Sequence, residues 1–220
     1  MAGFRTHVTV STALGVAVGG AAVNPFGFAP EAGFLAACVT AIGGMLPDLD
    51  SDSGRPLRET FGLAAAVVPL ALLPRFDQIG LSMEGAFAAL VAVYILVRYV
   101  GANTVRYLSV HRGMFHSIPA MLIAGLAIYL AYNSPDRNVR ILLAAGVMLG
   151  FFSHLLLDEL YSVDFNGVSL KLNKFAGSAI KFVSPSVPAT LVCYLILGVL
   201  GYLAYQEFGH LPSGHFRWPK

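Results

Sequence analysis

The chain has 220 residues, of which 56% are hydrophobic and only 12% charged, and its mean hydropathy is +0.70. Soluble domains carry roughly 25% charged residues, so this composition excludes an ordinary soluble protein and implies an integral membrane one. A formal charge of +2 without any basic run gives no ground for a nucleic-acid partner, and Cys38 and Cys193 stand singly in apolar stretches as packing residues.

In chain order, the charge-free stretches are Thr6–Pro30, Ala32–Pro47, Thr60–Pro74, Gly85–Val97, Gly113–Pro135, Ile141–Leu157 and Phe182–Gln206. A helix needs about 20 apolar residues to cross a bilayer. By that measure the first, fifth, sixth and seventh cross comfortably. The second, third and fourth are short; they must tilt, lean on snorkelling neighbours such as Arg98, or stop inside the bundle. The expected architecture is an all-α, polytopic helical membrane bundle with six or seven transmembrane helices, seven being the working count. Residues 1–206 form one membrane domain and 207–220 a polar tail. Arg5 ahead of an apolar run could pass for a secretory signal, but a useful His7 argues that the segment is retained. The small-residue stretches "GVAVGGAA" and "LAAGVMLG" allow close helix approach.

Seven crossings place the N-terminus and the loops near 48–59, 98–116 and 158–186 on one side. Nine Lys and Arg residues fall there and five on the other, so the first side is expected to be cytoplasmic. Most of the unusual polar residues share that side: His7, Asp48, Asp50, Asp52, His111, Arg112, His116, His154 and Asp158. The opposite loops, "NPFGFAPEAG" and "NSPDRN", are ordinary turn material. Clustering of this kind is expected if these residues meet in one site, although charges must gather at helix ends in any case.

Each polar motif has a functional and a bland reading. "GGMLPDLDSDSGRP" closes the second stretch; in extended backbone Asp48, Asp50 and Asp52 project to one side and could converge on a divalent cation. The bland alternative is a solvated acidic turn. In "HRGMFHS", His111 and His116 are five apart, about 140° around an ideal helix, so they do not share a helical face. Ser117 and Pro119 predict a helix start just after His116, and a helix N-terminus favours the neutral imidazole that a metal requires. Arg112 suits either a phosphate clamp or a headgroup anchor. "FFSHLLLDELYS" carries the clearest signal: His154 and Asp158 lie four apart on one helical face among apolar residues, as a ligand pair or as a ligand with its orienting carboxylate. A histidine bonded to a neighbouring helix is its bland alternative. His7, in "RTHVTVS", joins this set, whereas His210 and His215 belong to the tail and receive no role.

Taken together, "THVTVSTALG", "GGMLPDLDSD", "HRGMFHS" and "GFFSHLLLDELYS" resemble the YdjM-like family of bacterial membrane-bound metal-dependent hydrolases, and "GVSLKLNKFAGSAIKF" resembles the amphipathic segment of one branch. That family is itself similar to zinc-dependent phospholipase C and related nucleases. The resemblance implies His7, Asp48, His111, His116, His154 and Asp158 as ligands and a bacterial inner-membrane location, but adds little on substrate. The mixture of histidines and carboxylates suits one or two divalent ions, zinc being favoured over manganese or iron. A chain that is almost all membrane, with its site on the side expected to be cytoplasmic, points to a lipid phosphate or phosphodiester as substrate. A metal at such a site suits phosphoester hydrolysis, with Arg112 as a clamp and Asp50 or Asp52 as general base. Two rival functions remain, a metal-stabilised scaffold without catalysis and an ion- or proton-coupled transporter. The mid-span residues, nearly all Ala, Gly, Leu, Val and Ile, weigh against transport.

Overall fold

A computed structural model describes residues 3–50, 55–103, 114–165, 170–172 and 180–210. Among these residues the chain is a helical bundle: α1 (Phe4–Val23), α2 (Pro30–Gly43), a short 3₁₀ turn (Pro47–Asp50), α3 (Arg55–Gln78), α4 (Met83–Ile95), α5 (Ile118–Ala131), α6 (Arg137–Leu160) and α7 (Val187–His210). A π-helical turn, Leu96–Gly101, prolongs α4. Strand structure among the described residues is confined to a small antiparallel hairpin after α6, Val163–Phe165 paired with Leu170–Leu172.

The helix boundaries follow local chemistry. Ser117 caps α5 by accepting from the Ala120 N–H, with Pro119 in its first turn. Asp136 caps α6 by accepting from Asn138 N–H at 2.8 Å, and Ser82 caps α4 by accepting from Gly85 N–H. These caps correct the lengths read from charge alone. The fifth helix, expected to cross comfortably, has only 14 residues, because Gly113–Pro135 includes the turn before Ser117 and the Asn-Ser-Pro break after Ala131. The fourth, expected to be short, continues through Arg98 to Gly101, since a charge near a membrane end does not terminate a helix. Among the described residues, four helices are long and apolar enough to cross a membrane: Phe4–Val23, Met83–Gly101, Arg137–Leu160 and Val187–Phe208. At 1.5 Å per residue the 14-residue α2 and α5 reach only about 21 Å, short of a core about 30 Å thick.

Helix α6 is the central post. It packs on α1, α2 and α5, while α7 lies against α5, and α3 and α4 pair with each other beside the 3₁₀ turn. The buried face of α1 is His7, Ser11, Gly15, Gly19 and Ala22, a stripe of helical spacing. Where α2 ends, helices approach backbone to backbone. A Cβ on Gly43 would collide with the Val147 carbonyl, one on Gly44 with the Ser11 side chain, and one on Gly150 with the Thr40 carbonyl. Without lipid-excluding pressure between helices, such close van der Waals contact is what holds a membrane bundle together. Ser11 Oγ adds a hydrogen bond to the Ala41 carbonyl at 3.1 Å. Just beyond this contact, one turn before Ser11 and one turn after Gly150, stand His7 and His154.

Candidate metal centre

Five side chains from four segments converge at that level. His7 comes from the second turn of α1, Asp48 from the 3₁₀ turn, His116 from the turn before α5, and His154 and Asp158 from the last turns of α6. Four of them are buried and Asp48 is partly exposed, with 18% of its side chain accessible. The site therefore opens on the Asp48 edge.

The distances define a shared centre. His7 Nε2 lies 3.2 Å from Asp158 Oδ1, and His116 Nε2 and His154 Nε2 each lie 3.7 Å from Asp158 Oδ2. Asp48 Oδ1 is 3.6 Å from His154 Nε2 and 3.8 Å from His116 Nε2. The His7 and His154 rings stack at 3.6 Å with 13° between planes, and the His116 ring meets His154 edge-on at 5.5 Å. Two overlapping triads share His154: His7, His154 and Asp158, and Asp48, His116 and His154. Within each, one donor atom per residue lies within 4.8 Å of the others.

The protonation pattern tests whether a cation fits. His154 Nδ1 lies 2.8 Å from the Gly44 carbonyl. A carbonyl can only accept, so Nδ1 carries the proton, and in the neutral ring the Nε2 lone pair is bare. That lone pair faces two carboxylate oxygens and has no hydrogen-bond partner; neither Asp158 oxygen has one either. Acceptors facing acceptors in a buried space repel unless a cation lies among them. A second proton on His154 would set an imidazolium against the stacked His7 ring. The donor set of imidazole nitrogens and carboxylate oxygens fits a divalent ion such as zinc, manganese or iron. The Gly44 carbonyl stands where the outer partner of a metal-binding histidine would, fixing the direction of the His154 ring. At the open edge, burial raises the proton affinity of the Asp48 carboxyl; Asp158 adds to this and His7 opposes it.

The structure brings together His7, Asp48, His116, His154 and Asp158. The extended backbone expected for the Asp48–Asp50–Asp52 ladder is corrected over its described part: Pro47–Asp50 is a 3₁₀ turn. The Asp50 side chain, and Asp52, His111 and Arg112 entirely, lie outside the described residues. Sequence reasoning missed the Gly44 carbonyl, since a backbone acceptor has no residue signature. It also took the far-side loop "NSPDRN" as ordinary turn material. Two residues past that loop, in the first turns of α6, Arg140 is fully buried and donates to the Tyr129 carbonyl through Nε at 2.9 Å and Nη2 at 2.7 Å, with Nη2 also 2.8 Å from Glu207 Oε1. Its place on the stripe Arg140, Leu143, Val147, Phe151, His154 was the available signal. Glu207 belongs to α7, which continues to His210.

The sequence profile of the YdjM inner membrane protein family matches residues 1–172, more than three quarters of the chain and every member of the cluster. The chain belongs to that family and is an inner-membrane protein. No curated protein and no solved structure matches it.

Proposed function

We propose that this YdjM-family protein is a membrane-embedded metal-dependent hydrolase that cleaves a phosphoester of a lipid or lipid-linked substrate. The observation that carries this reading is the bare His154 Nε2, held toward two carboxylates by the Gly44 carbonyl in a buried cluster of three histidines. His7, His116, His154, Asp158 and Asp48 would hold the ion, zinc being our choice, in one or two sites. When bound, a divalent cation supplies Lewis acidity toward a phosphoryl oxygen and a nucleophile from water near neutral pH.

The chain's own residues do the rest. Gly44 fixes the tautomer and direction of His154, and Asp158 faces three imidazoles at once, so its charge balances the centre. The partly exposed Asp48 marks where a substrate meets the cluster. The acid–base role falls to Asp50 or Asp52, and Arg112 clamps the phosphoryl group. Because His7 lies in the second turn of α1 and Asp158 in the last turn of α6, the centre belongs at the headgroup level. The split of Lys and Arg makes that level cytoplasmic.

Transport fits less well. Between Arg140 and His154 the buried face of α6 is Leu143, Gly146, Val147, Gly150 and Phe151, so this helix offers no ionisable step through the bilayer centre. Scaffolding has one observation in its favour: the cluster ties α1, α6, the 3₁₀ turn and the α5 start together, as a structural metal would. Metal analysis of purified protein beside a His154→Ala variant, followed by hydrolysis assays over a panel of lipid phosphoesters in lipid discs, separates the readings. Bound metal with hydrolysis supports the proposal. Bound metal with no turnover on the whole panel makes scaffolding the better reading.

A further inference from the structure

Residues 180–186, the non-helical stretch leading into α7, are built unusually for a loop. Their backbone turns inward. The Lys181 carbonyl accepts from the Ile118 N–H at 3.0 Å, at the start of α5 and two residues after His116. The Phe182 carbonyl accepts from the Tyr194 hydroxyl at 3.1 Å, and Ser184 N–H donates to Thr190 Oγ1 at 3.1 Å. Thr190 Oγ1 also lies 3.8 Å from Met114 Sδ, at the other end of the His116 turn. The side chains turn outward: Phe182 is 59% exposed and Val183 62%.

Apolar side chains facing out from a pinned backbone need an apolar environment. The stretch immediately precedes Val187–Phe208, a segment long and apolar enough to cross the membrane, so Phe182 and Val183 stand where that span leaves the bilayer. They lie on the same side as His116 and Asp158. The stretch leading up to them carries Lys171, Lys174 and Lys181, which suit anionic headgroups. A partner protein fits less well, because a specific interface covers about 800 Å² on each side and the exposed apolar side chains of this stretch, Ile180, Phe182 and Val183, offer far less.

We propose that residues 180–186 are a lipid-anchored strap: Phe182 and Val183 insert at the headgroup–acyl boundary of the leaflet on the cluster's side, and the strap's backbone braces the turn that carries His116. The strap couples the membrane surface to that turn whether or not the centre is catalytic.

Two measurements on the full chain, in discs of phosphatidylethanolamine and phosphatidylglycerol, test it. For the first, Phe182→Trp is made in a Trp218→Phe background, which removes the native tryptophan. Emission should be quenched more by lipids brominated near the headgroup than by lipids brominated near the chain end. Emission insensitive to both, or contact of the introduced indole with a second copy of the chain, overturns the lipid contact. For the second, hydrogen exchange is followed at the Ile118 amide. Phe182→Ser with Val183→Ser should speed it by roughly fivefold or more, while Phe182→Leu keeps it slow. Unchanged exchange in the serine variant overturns the bracing. If that variant loosens α1 as well, Phe182→Ser alone gives the same reading with a smaller change.

Discussion

Replacing Asp158 by Asn separates a metal ligand from a structural carboxylate, because the two roles predict opposite effects on the metal-free protein. Asp158 is 3% exposed, and its two oxygens lie 3.2 to 3.7 Å from three imidazole nitrogens without a hydrogen-bond partner. Asn keeps the shape and removes the charge. Without metal, the variant should melt at or slightly above the metal-free wild type, since it no longer buries an uncompensated carboxylate. With metal the order reverses. Free metal at a thousand times Kd stabilises the wild type by about 4.1 kcal/mol. Loss of a charged ligand weakens binding by at least the roughly 100-fold that losing an outer partner can cost, which leaves about 1.4 kcal/mol or less and removes about 2.7 kcal/mol or more. Thermal unfolding of both proteins in lipid discs, with chelator and with zinc, reads both effects. A variant equally destabilised with and without metal, its zinc increment intact, would refute the ligand assignment.

Gly44→Ala should push its new methyl into Ser11 and shift the carbonyl that orients His154; metal affinity falls about 10- to 100-fold, and adding Ser11→Gly restores it, as titration calorimetry would show. Glu207→Ala leaves Arg140 buried without its carboxylate, so stability drops by about 3 kcal/mol while metal affinity, read at the other membrane end, stays unchanged. The raised proton affinity of Asp48, caused first by burial, sets the sign of a pH effect. Its folded-state pKa lies above the ordinary value of 3.8, so the metal-free fold loses stability as pH rises through the window above that value, and metal affinity grows over the same window. Melting curves against pH should show the gap between metal-loaded and metal-free protein widening upward, and Asp48→Asn should flatten that change.

Much of this architecture was legible because membrane helices advertise themselves. The absence of charge marked every helix, and the 3.6-residue period put His154 and Asp158 on one face before any coordinates. Charge was a poor guide to helix ends, however. Arg98 sits inside a helical segment, whereas α5 begins only at the Ser117 cap, because capping chemistry and not polarity decides where a helix starts. The extended backbone expected from Asp48 onward was wrong for a related reason: alternation of polar residues is ambiguous between extended and 3₁₀ backbone, and Pro47–Asp50 takes the tighter turn.

What no motif could show is why the histidines meet. His7 and His154 are 147 residues apart in sequence, and neither is placed by its own neighbours alone. Their meeting depends on Ser11, Gly43, Gly44 and Gly150, where α1, α2 and α6 touch backbone to backbone. Helix α2 stops at that crossing, one turn short of the histidines, so its end leaves room for their rings and presents the Gly44 carbonyl to His154. A longer α2 would place a helix where the cluster now lies. The small residues that read as generic packing are therefore part of the site: they set the depth at which α2 ends, and that end supplies the acceptor that turns His154 Nε2 toward the carboxylates.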